Sequence, residues 1–190
     1  MFRFLADKIG ATVLAISQLV LTNVAGTDPW FNQVTLEAQG DGLFLSTVLM
    51  DSYTEDLDRM LQSGDTLVLH FEVDLVAMEN ERVVTIANWE HQFRYSILQD
   101  RYQLYFSERD EWDNFYTLAE AKSNWVSLRR ARLCDLDLLQ DDAEYFLRIS
   151  AFMDNMQLPG LTDELNLMAF WNRIRPIHTT NPFQKRSLVL

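Results

Sequence analysis

Three residues that could bind a metal ion alternate along one short segment of the chain. His70, Glu72 and Asp74 are separated by single apolar residues, so an extended strand would place all three side chains on one face. Successive side chains on such a face lie about 7 Å apart, too far to chelate one ion without help from a second element. We therefore expect a solvated polar face and no metal site here.

A second group of possible metal ligands is acidic and lies close together in sequence. The segment 135–142 carries four carboxylates, which are ligands that Ca²⁺ prefers. They belong to Asp135, Asp137, Asp141 and Asp142. The loop glycine and the ligand spacing of an EF-hand are absent from this segment. We interpret it as an acidic, solvent-exposed turn, and the sequence predicts no resident cofactor.

Four more acidic residues surround Trp112 in the segment 108–116. Paired carboxylates could serve as general acid and base in a hydrolase, but only in a pocket that drives their pKa values apart. The sequence indicates no such pocket. We predict an exposed loop in which Trp112 or Phe115 folds back onto the core, and a carboxylate-based hydrolase is the weakest of three functional hypotheses.

Nucleophile and base signatures are missing elsewhere. The sequence contains no nucleophile elbow, no phosphate-binding glycine loop and no zinc-protease motif. His91 stands beside Trp89 on the apolar face of a predicted strand, so we expect a core histidine with satisfied hydrogen bonds. Cys134 is the single cysteine, which rules out an internal disulfide and a cysteine-based zinc cluster. We predict that the protein is not an enzyme.

Charge excludes further classes of function. The chain of 190 residues has a formal net charge of −12 and no basic block beyond the arginines of segment 129–132. Nucleic-acid phosphates need a basic footprint, so nucleic acid is not an expected partner. An anionic membrane surface is disfavoured for the same reason.

The first 26 residues have the layout of a secretory signal. Arg3 and Lys8 precede an apolar run over residues 9–24, which ends in the small residues of Val24-Ala25-Gly26. The run contains five polar residues and would be a poor permanent membrane span. We predict an exported, periplasmic protein with no integral span after signal removal. The alternative is an N-terminal amphipathic helix that packs on the domain.

Residues 27–190 are predicted to form a single β-rich domain with two short helices. Strands are expected over 34–38, 43–49, 66–75, 83–98, 101–107 and 144–153. Capping-box spacing marks one helix after Ser52, ending at Gly64, and a second after Thr117. The order of elements predicts an α+β fold, mainly antiparallel β and sandwich-like. From about residue 172 the chain is expected to be an irregular C-terminal tail.

The segment 92–106 combines aromatic side chains with arginines, which could indicate either a binding surface or a core wall. A tight turn at Gln99-Asp100 would pair Ile97 with Tyr102, Tyr95 with Leu104 and Phe93 with Phe106. These six side chains would then share one face, and polar ones such as Arg94, Gln103 and Tyr105 would share the other. We therefore predict a hairpin whose aromatic face covers the core.

The order of several motifs resembles a known family. They are "DGLFLS", "LQSG", "LHFEVDL", "FRYSILQDRYQLYF", "FYTLAEA", "LCDLDLL", "EYFLRISAFMD" and "LPGL". Together they resemble a family of small exported bacterial envelope proteins, domain of unknown function 4390, over residues 34–161. The resemblance implies a signal sequence and export, and it supplies no catalytic residue.

We expect a non-enzymatic envelope protein that acts as a protein-binding or scaffold module. The alternative partner is an apolar ligand that the protein would carry through the periplasm. Aromatic side chains in exposed-looking polar segments are candidate anchors for a partner, because aromatic residues dominate protein interfaces. The candidates are Trp112, Phe115, Trp171 and Phe183.

Overall fold

Two antiparallel sheets pack face to face in the computed structural model, which describes residues 26–62, 64–157 and 164–188. The ring centroids of Phe31 in one sheet and Phe71 in the other lie 6.5 Å apart across the core. The fold is α+β, mainly antiparallel β and sandwich-like with two short α-helices in the described part, as the sequence predicts.

The elements follow one another along the chain with short connections. They are β1 (Trp30–Gln39), β2 (Gly42–Met50), α1 (Glu55–Gln62), β3 (Thr66–Ala77), β4 (Arg82–Ser96), β5 (Arg101–Phe106), β6 (Glu111–Phe115), α2 (Leu118–Trp125), β7 (Ser127–Asp135), β8 (Glu144–Met153), β9 (Asn155–Gln157), β10 (Glu164–Asn166), β11 (Ile177–Thr179) and β12 (Phe183–Gln184). Short 3₁₀ helices span Leu136–Leu138, Leu167–Trp171 and Lys185–Ser187.

The larger sheet has seven strands and the smaller has three. The order in the larger sheet is β11-β8-β3-β4-β5-β6, with β12 also paired to β8. The smaller sheet has the order β1-β2-β7, and β9 and β10 form a separate hairpin. Strands β6 and β1 therefore lie at the edges of the two sheets.

Strand β3 shows how the alternating pattern builds the core. Its odd-numbered apolar side chains, from Leu67 to Leu75, are all fully buried, while His70, Glu72 and Asp74 lie on the other face. Fully burying each such side chain contributes about 1.5–3 kcal/mol to folding, which explains why the strand keeps one register between β4 and β8.

The β4–β5 hairpin keeps the predicted faces but not the predicted pairing. Tyr95 pairs with Tyr102, and Phe93 with Leu104, two residues away from the expected register. The prediction was wrong because the connection has four residues, 97–100, rather than two. Ile97 is consequently not part of the core face and is 62% exposed.

α1 begins later than predicted, whereas α2 begins where it was predicted. α1 begins at Glu55, and the Ser52 hydroxyl donates to the Leu49 carbonyl instead of capping the helix. At α2, the Thr117 side chain accepts a hydrogen bond from the Glu120 backbone N–H, as predicted. α2 ends at Trp125, and strand β7, which was not predicted, begins two residues later at Ser127.

Two segments expected to be irregular contain strands. The acidic segment around Trp112 includes strand β6 rather than a loop, paired with β5 over residues 111–115. The tail after residue 172 includes β11 and β12, both paired with β8, although most of it is irregular. Pairing of the tail extends the larger sheet beyond the strands that the sequence predicted.

The predicted signal over residues 1–26 lies outside the described residues except for Gly26. Within the described ranges, no helix has the length and apolar character needed to cross a bilayer.

Candidate functional site

Trp112 occupies an exposed position on the outer face of the larger sheet. Its side chain is 42% exposed and lies on the edge strand β6. Tyr105 is its partner on β5, and the two rings lie 5.5 Å apart. The guanidinium carbon of Arg94, on β4, lies 4.1 Å from the centre of the Trp112 ring. Side chains from three adjacent strands thus meet at one tryptophan.

Hydrogen bonds hold the side chains around Trp112 in place. Arg94 Nε donates to Gln103 Oε1 at 2.9 Å, and Gln103 Nε2 donates to Asn114 Oδ1 at 3.0 Å. The Tyr105 hydroxyl donates to Asp110 Oδ1 at 2.8 Å. This bond raises the pKa of Tyr105, because the neutral hydroxyl is the donor. We call Arg94, Gln103, Tyr105, Trp112 and Asn114 the Trp112 surface.

The position of β6 makes the Trp112 surface accessible from two directions. Among the described residues, β6 pairs with β5 and with no other strand, so its outer edge is open. On the opposite face, Arg109 Nη2 contacts Asp113 Oδ2 at 2.8 Å, and Arg109 Nη1 contacts Glu111 Oε2 at 3.4 Å. A platform of Trp, Tyr and Arg with fixed rotamers can bind a partner at a reduced ordering cost.

The four aromatic residues predicted as partner anchors do not form one surface. Phe115 shares β6 with Trp112 but points to the opposite face, beside Tyr102, and is half-buried against the core. Phe183 lies at the other side of the same sheet, with its ring 6.2 Å from that of Tyr145. Only Trp112, among the four, therefore belongs to the surface defined above.

Trp171 requires a correction, because it is fully buried. Its indole Nε1–H donates to the Ser52 carbonyl at 2.7 Å, which joins the turn at residue 171 to the start of α1. The polar sequence that follows Trp171 suggested exposure, but the residue itself closes the 3₁₀ helix Leu167–Trp171 against the core. It cannot contact a partner in this fold.

His91 lies in the core with both ring nitrogens in hydrogen-bond range of acceptors. Nδ1 lies 2.6 Å from the Trp125 carbonyl oxygen, and Nε2 lies 3.2 Å from the Glu108 carboxylate. The Trp125 carbonyl can only accept, so Nδ1 must carry a hydrogen. The side chains of His91 and Glu108 are 0% and 4% exposed, so no substrate can reach this pair from solvent.

Side chains on the polar face of β3 contact charged residues from other segments. His70 Nε2 lies 3.0 Å from Asp154 Oδ1, and Glu72 Oε1 lies 3.1 Å from Arg175 Nη2. Within the part of the chain that the structure describes, no three His, Cys, Asp or Glu side chains lie close enough to hold a metal ion. For Cys134, burial raises the pKa of the thiol to about 11, which disfavours a reactive thiolate.

A cleft of about 570 Å³ opens where the β3–β4 turn faces the segment before β8. Its size suits a small molecule. Its wall includes the carboxylates of Glu79, Asp142 and Glu144 and the guanidinium of Arg82. Burying such charges against an apolar molecule would be unfavourable, so this cleft does not favour an apolar ligand.

The sequence predicted the positions of three residues of the Trp112 surface but not the surface itself. The alternation along segment 92–106 already assigned Arg94, Gln103 and Tyr105 to the polar face of the hairpin. Trp112 was assigned to a loop, so its place beside them was missed. A search for a third strand, pairing with residues 101–106 across a short turn, could have found it.

Comparison with known proteins identifies a family and no closer relative. A search of the curated proteins gave no match, and a search of the solved structures also gave none. The family model described as "Domain of unknown function (DUF4390)" matches residues 30–173. This range covers the smaller sheet, both α-helices, the Trp112 surface and the strands of the larger sheet other than β11 and β12. It confirms the resemblance seen in the sequence motifs. The chain therefore belongs to the DUF4390 family.

Proposed function

We propose that the protein is exported to the cell envelope, resides in the periplasm and acts there by binding another protein rather than by catalysis. Export is supported by the signal layout of residues 1–26, with its two basic residues, apolar run and small residues at the end. Binding is supported by the geometry of the Trp112 surface.

The observation that carries the proposal is the contact of Arg94 and Tyr105 with a largely exposed Trp112. Trp, Tyr and Arg are the residue types enriched among the side chains that dominate binding energy at interfaces. Hydrogen bonds of Arg94 and Tyr105 fix the rotamers before any partner arrives. Less conformational entropy is then lost on binding, which favours affinity for a given contact area.

Charge indicates the kind of partner. The chain has a net charge of −12, and a partner with a basic rim around its contact surface would be steered towards it. An acidic partner would be repelled during encounter. We expect association to slow as the salt concentration rises, because screening shortens the range of this attraction.

The binding proposal can be tested by photo-crosslinking in cells of the natural host. A photoreactive amino acid replaces Asn114, and the expected product is an adduct with another envelope protein. Trp112→Ala should remove most of that adduct. Leu98→Ala is the matched control, because Leu98 is 100% exposed in the β4–β5 turn but lies outside the Trp112 surface. An adduct that is insensitive to Trp112→Ala would contradict the proposal.

Export is tested separately, by fractionating the same cells and measuring intact mass. A species of the mass expected for residues 27–190, recovered outside the cytoplasm, is the expected result. A full-length chain confined to the cytosol would overturn export but would leave the binding test intact. Turnover of any substrate that is lost on replacing His70 or His91 would overturn the non-enzymatic proposal.

A further inference from the structure

The junction between the N-terminal segment and the domain is held by hydrogen bonds. The Thr27 backbone N–H donates to the Phe170 carbonyl at 2.9 Å. Asn172 Nδ2 donates to Asp28 Oδ1 at 2.7 Å. A β-carbon on Gly26 would lie 2.6 Å from the backbone nitrogen of Asn172, so the backbone passes this point where no side chain would fit. The chain thus enters the domain at Gly26 without a slack linker.

The turn that holds this junction has an unusual backbone. Asn172 and Arg173 have φ angles of 50° and 60°. The left-handed region is tolerated by asparagine and is uncommon for arginine, so this conformation is maintained by its surroundings. Arg173 and Ile174 are both exposed as a result, and Ile174 is 54% exposed two residues after Asn172.

Exposed apolar side chains occur within a few residues of the junction and of the turn that holds it. Trp30, four residues after Gly26, is 48% exposed, and its cross-strand partner Met50 is 37% exposed. The indole Nε1–H of Trp30 donates to Asp51 Oδ2 at 3.1 Å, which leaves the rest of the ring free. Trp side chains with one polar and one apolar side suit the interface between water and lipid.

Charges near the junction are only partly matched, because neutral donors leave the charges of Asp28 and Asp51 in place. Asp28 and Asp51 each accept a hydrogen bond from a neutral side chain, and Arg175 pairs with Glu72 at 3.1 Å. Arg173 adds one positive charge. The named charges leave a small negative excess, so electrostatic attraction to lipid headgroups contributes nothing, and any binding to lipid must come from apolar contact and from tethering.

The sequence before the junction supplies such a tether. The apolar run of residues 9–24 ends two residues before Gly26, a distance of at most roughly 7 Å along an extended chain. We propose that, while residues 1–25 remain joined to the domain, the domain rests on the bilayer surface through Trp30, Met50 and Ile174. This inference rests on the proposed export, which brings the apolar run into a membrane.

Tethering would allow the domain to contact the bilayer despite its negative net charge. A free domain of charge −12 is repelled by anionic lipids. A segment held in the bilayer raises the local concentration of the surface to the millimolar range for short linkers, so a few apolar side chains are enough. Removal of residues 1–25 would therefore release the domain from the membrane.

Quenching by brominated lipids tests the proposal on the full chain. Vesicles of phosphatidylethanolamine and phosphatidylglycerol, brominated on their acyl chains near the headgroup, quench tryptophans in contact with lipid. All five tryptophans lie in described segments, and Trp89, Trp125 and Trp171 are buried. We expect part of the emission to be quenched, that part to disappear in Trp30→Phe, and all of it to persist in the matched control Trp112→Phe.

A second variant provides a gain of signal. Ile174→Trp in the Trp30→Phe background should restore quenching, and near-ultraviolet circular dichroism checks that each variant is folded. Absence of quenching in the unmodified chain, or quenching that Trp112→Phe abolishes, would overturn the proposal. Because the chain is added directly to vesicles, these outcomes do not depend on export in cells, which is judged by fractionation.

Discussion

Trp30 and Trp112 are exposed to a similar extent, 48% and 42%, and both lie on edge strands, yet their surroundings differ. Trp112 has an arginine over its ring and a tyrosine beside it, with polar side chains linked across three strands. Trp30 has Met50 beside it and one hydrogen bond to a carboxylate. Residue type and exposure alone therefore do not define a binding surface.

The difference separates two kinds of contact. A polar, pre-ordered surface discriminates between partners, because each fixed donor or acceptor must be matched. An apolar surface with few fixed polar groups accepts a fluid lipid interface as readily as a protein. The two surfaces lie on different sheets, since Trp112 is on the larger sheet and Trp30 and Met50 are on the smaller one.

The largest expected effect concerns the support of the Trp112 surface. Glu108 lies in the β5–β6 turn, and its buried carboxylate faces His91 at 3.2 Å. Glu108→Ala leaves a buried polar ring without its partner and should lower the free energy of unfolding by about 3–5 kcal/mol in urea titrations.

The matched control for this prediction is Glu111→Ala, which removes a carboxylate that is 62% exposed. We expect a change within about 0.5 kcal/mol. Equal effects of the two substitutions would show that the His91–Glu108 contact does not support β6. Glu108 would then not stabilise the strand that carries Trp112.

The second largest effect is expected on partner affinity, and it should differ between the two tryptophans. Trp112→Ala should weaken binding of the crosslinked partner by about 2 kcal/mol or more, which is roughly 30-fold in Kd. Trp30→Ala should leave that Kd unchanged in solution. Isothermal titration calorimetry with the purified partner provides the measurement, and equal losses for both variants would contradict a division between the surfaces.

The smallest expected effect is the coupling free energy between Arg94 and Trp112, which reports how strongly their contact stabilises the Trp112 surface. Single and double variants of Arg94→Ala and Trp112→Ala form a mutant cycle for the free energy of unfolding. We expect a coupling of about 0.5–1 kcal/mol, as for a cation–π contact at an exposed site. A coupling near zero would mean that the two side chains contact each other without stabilising the surface.

Much of the fold was predictable because strands with one buried face show alternating apolar and polar residues in the sequence. The predicted strand 66–75 around Phe71 shows an unbroken period of two. The structure confirms its buried face and its start, and the strand runs two residues further, to Ala77. The register of β4 on β5 was not predictable from alternation, since a shift of two residues keeps every side chain on the same face. Only the number of residues in the turn decides between the two pairings.

The candidate site was harder to predict for a physical reason. Strand β6 contains Trp112 and Phe115, which point to opposite faces, and acidic residues separate or flank them. An edge strand with few buried side chains has no alternating pattern, and its charges protect it from unwanted pairing. Trp171 was predicted to be exposed but is buried. Its indole donates to the carbonyl of Ser52, 119 residues away, and a contact so distant in sequence leaves no local pattern.

The contact between His91 and Trp125 runs in both directions. His91 Nδ1 donates to the Trp125 carbonyl, and the Trp125 indole donates back to the His91 carbonyl at 3.0 Å. Strand β4, helix α2 and, through Glu108, the β5–β6 turn are therefore joined at one buried point. In amide hydrogen exchange, these three segments should open as one cooperative unit, with a shared opening free energy that a partner bound at Trp112 would raise for all of them.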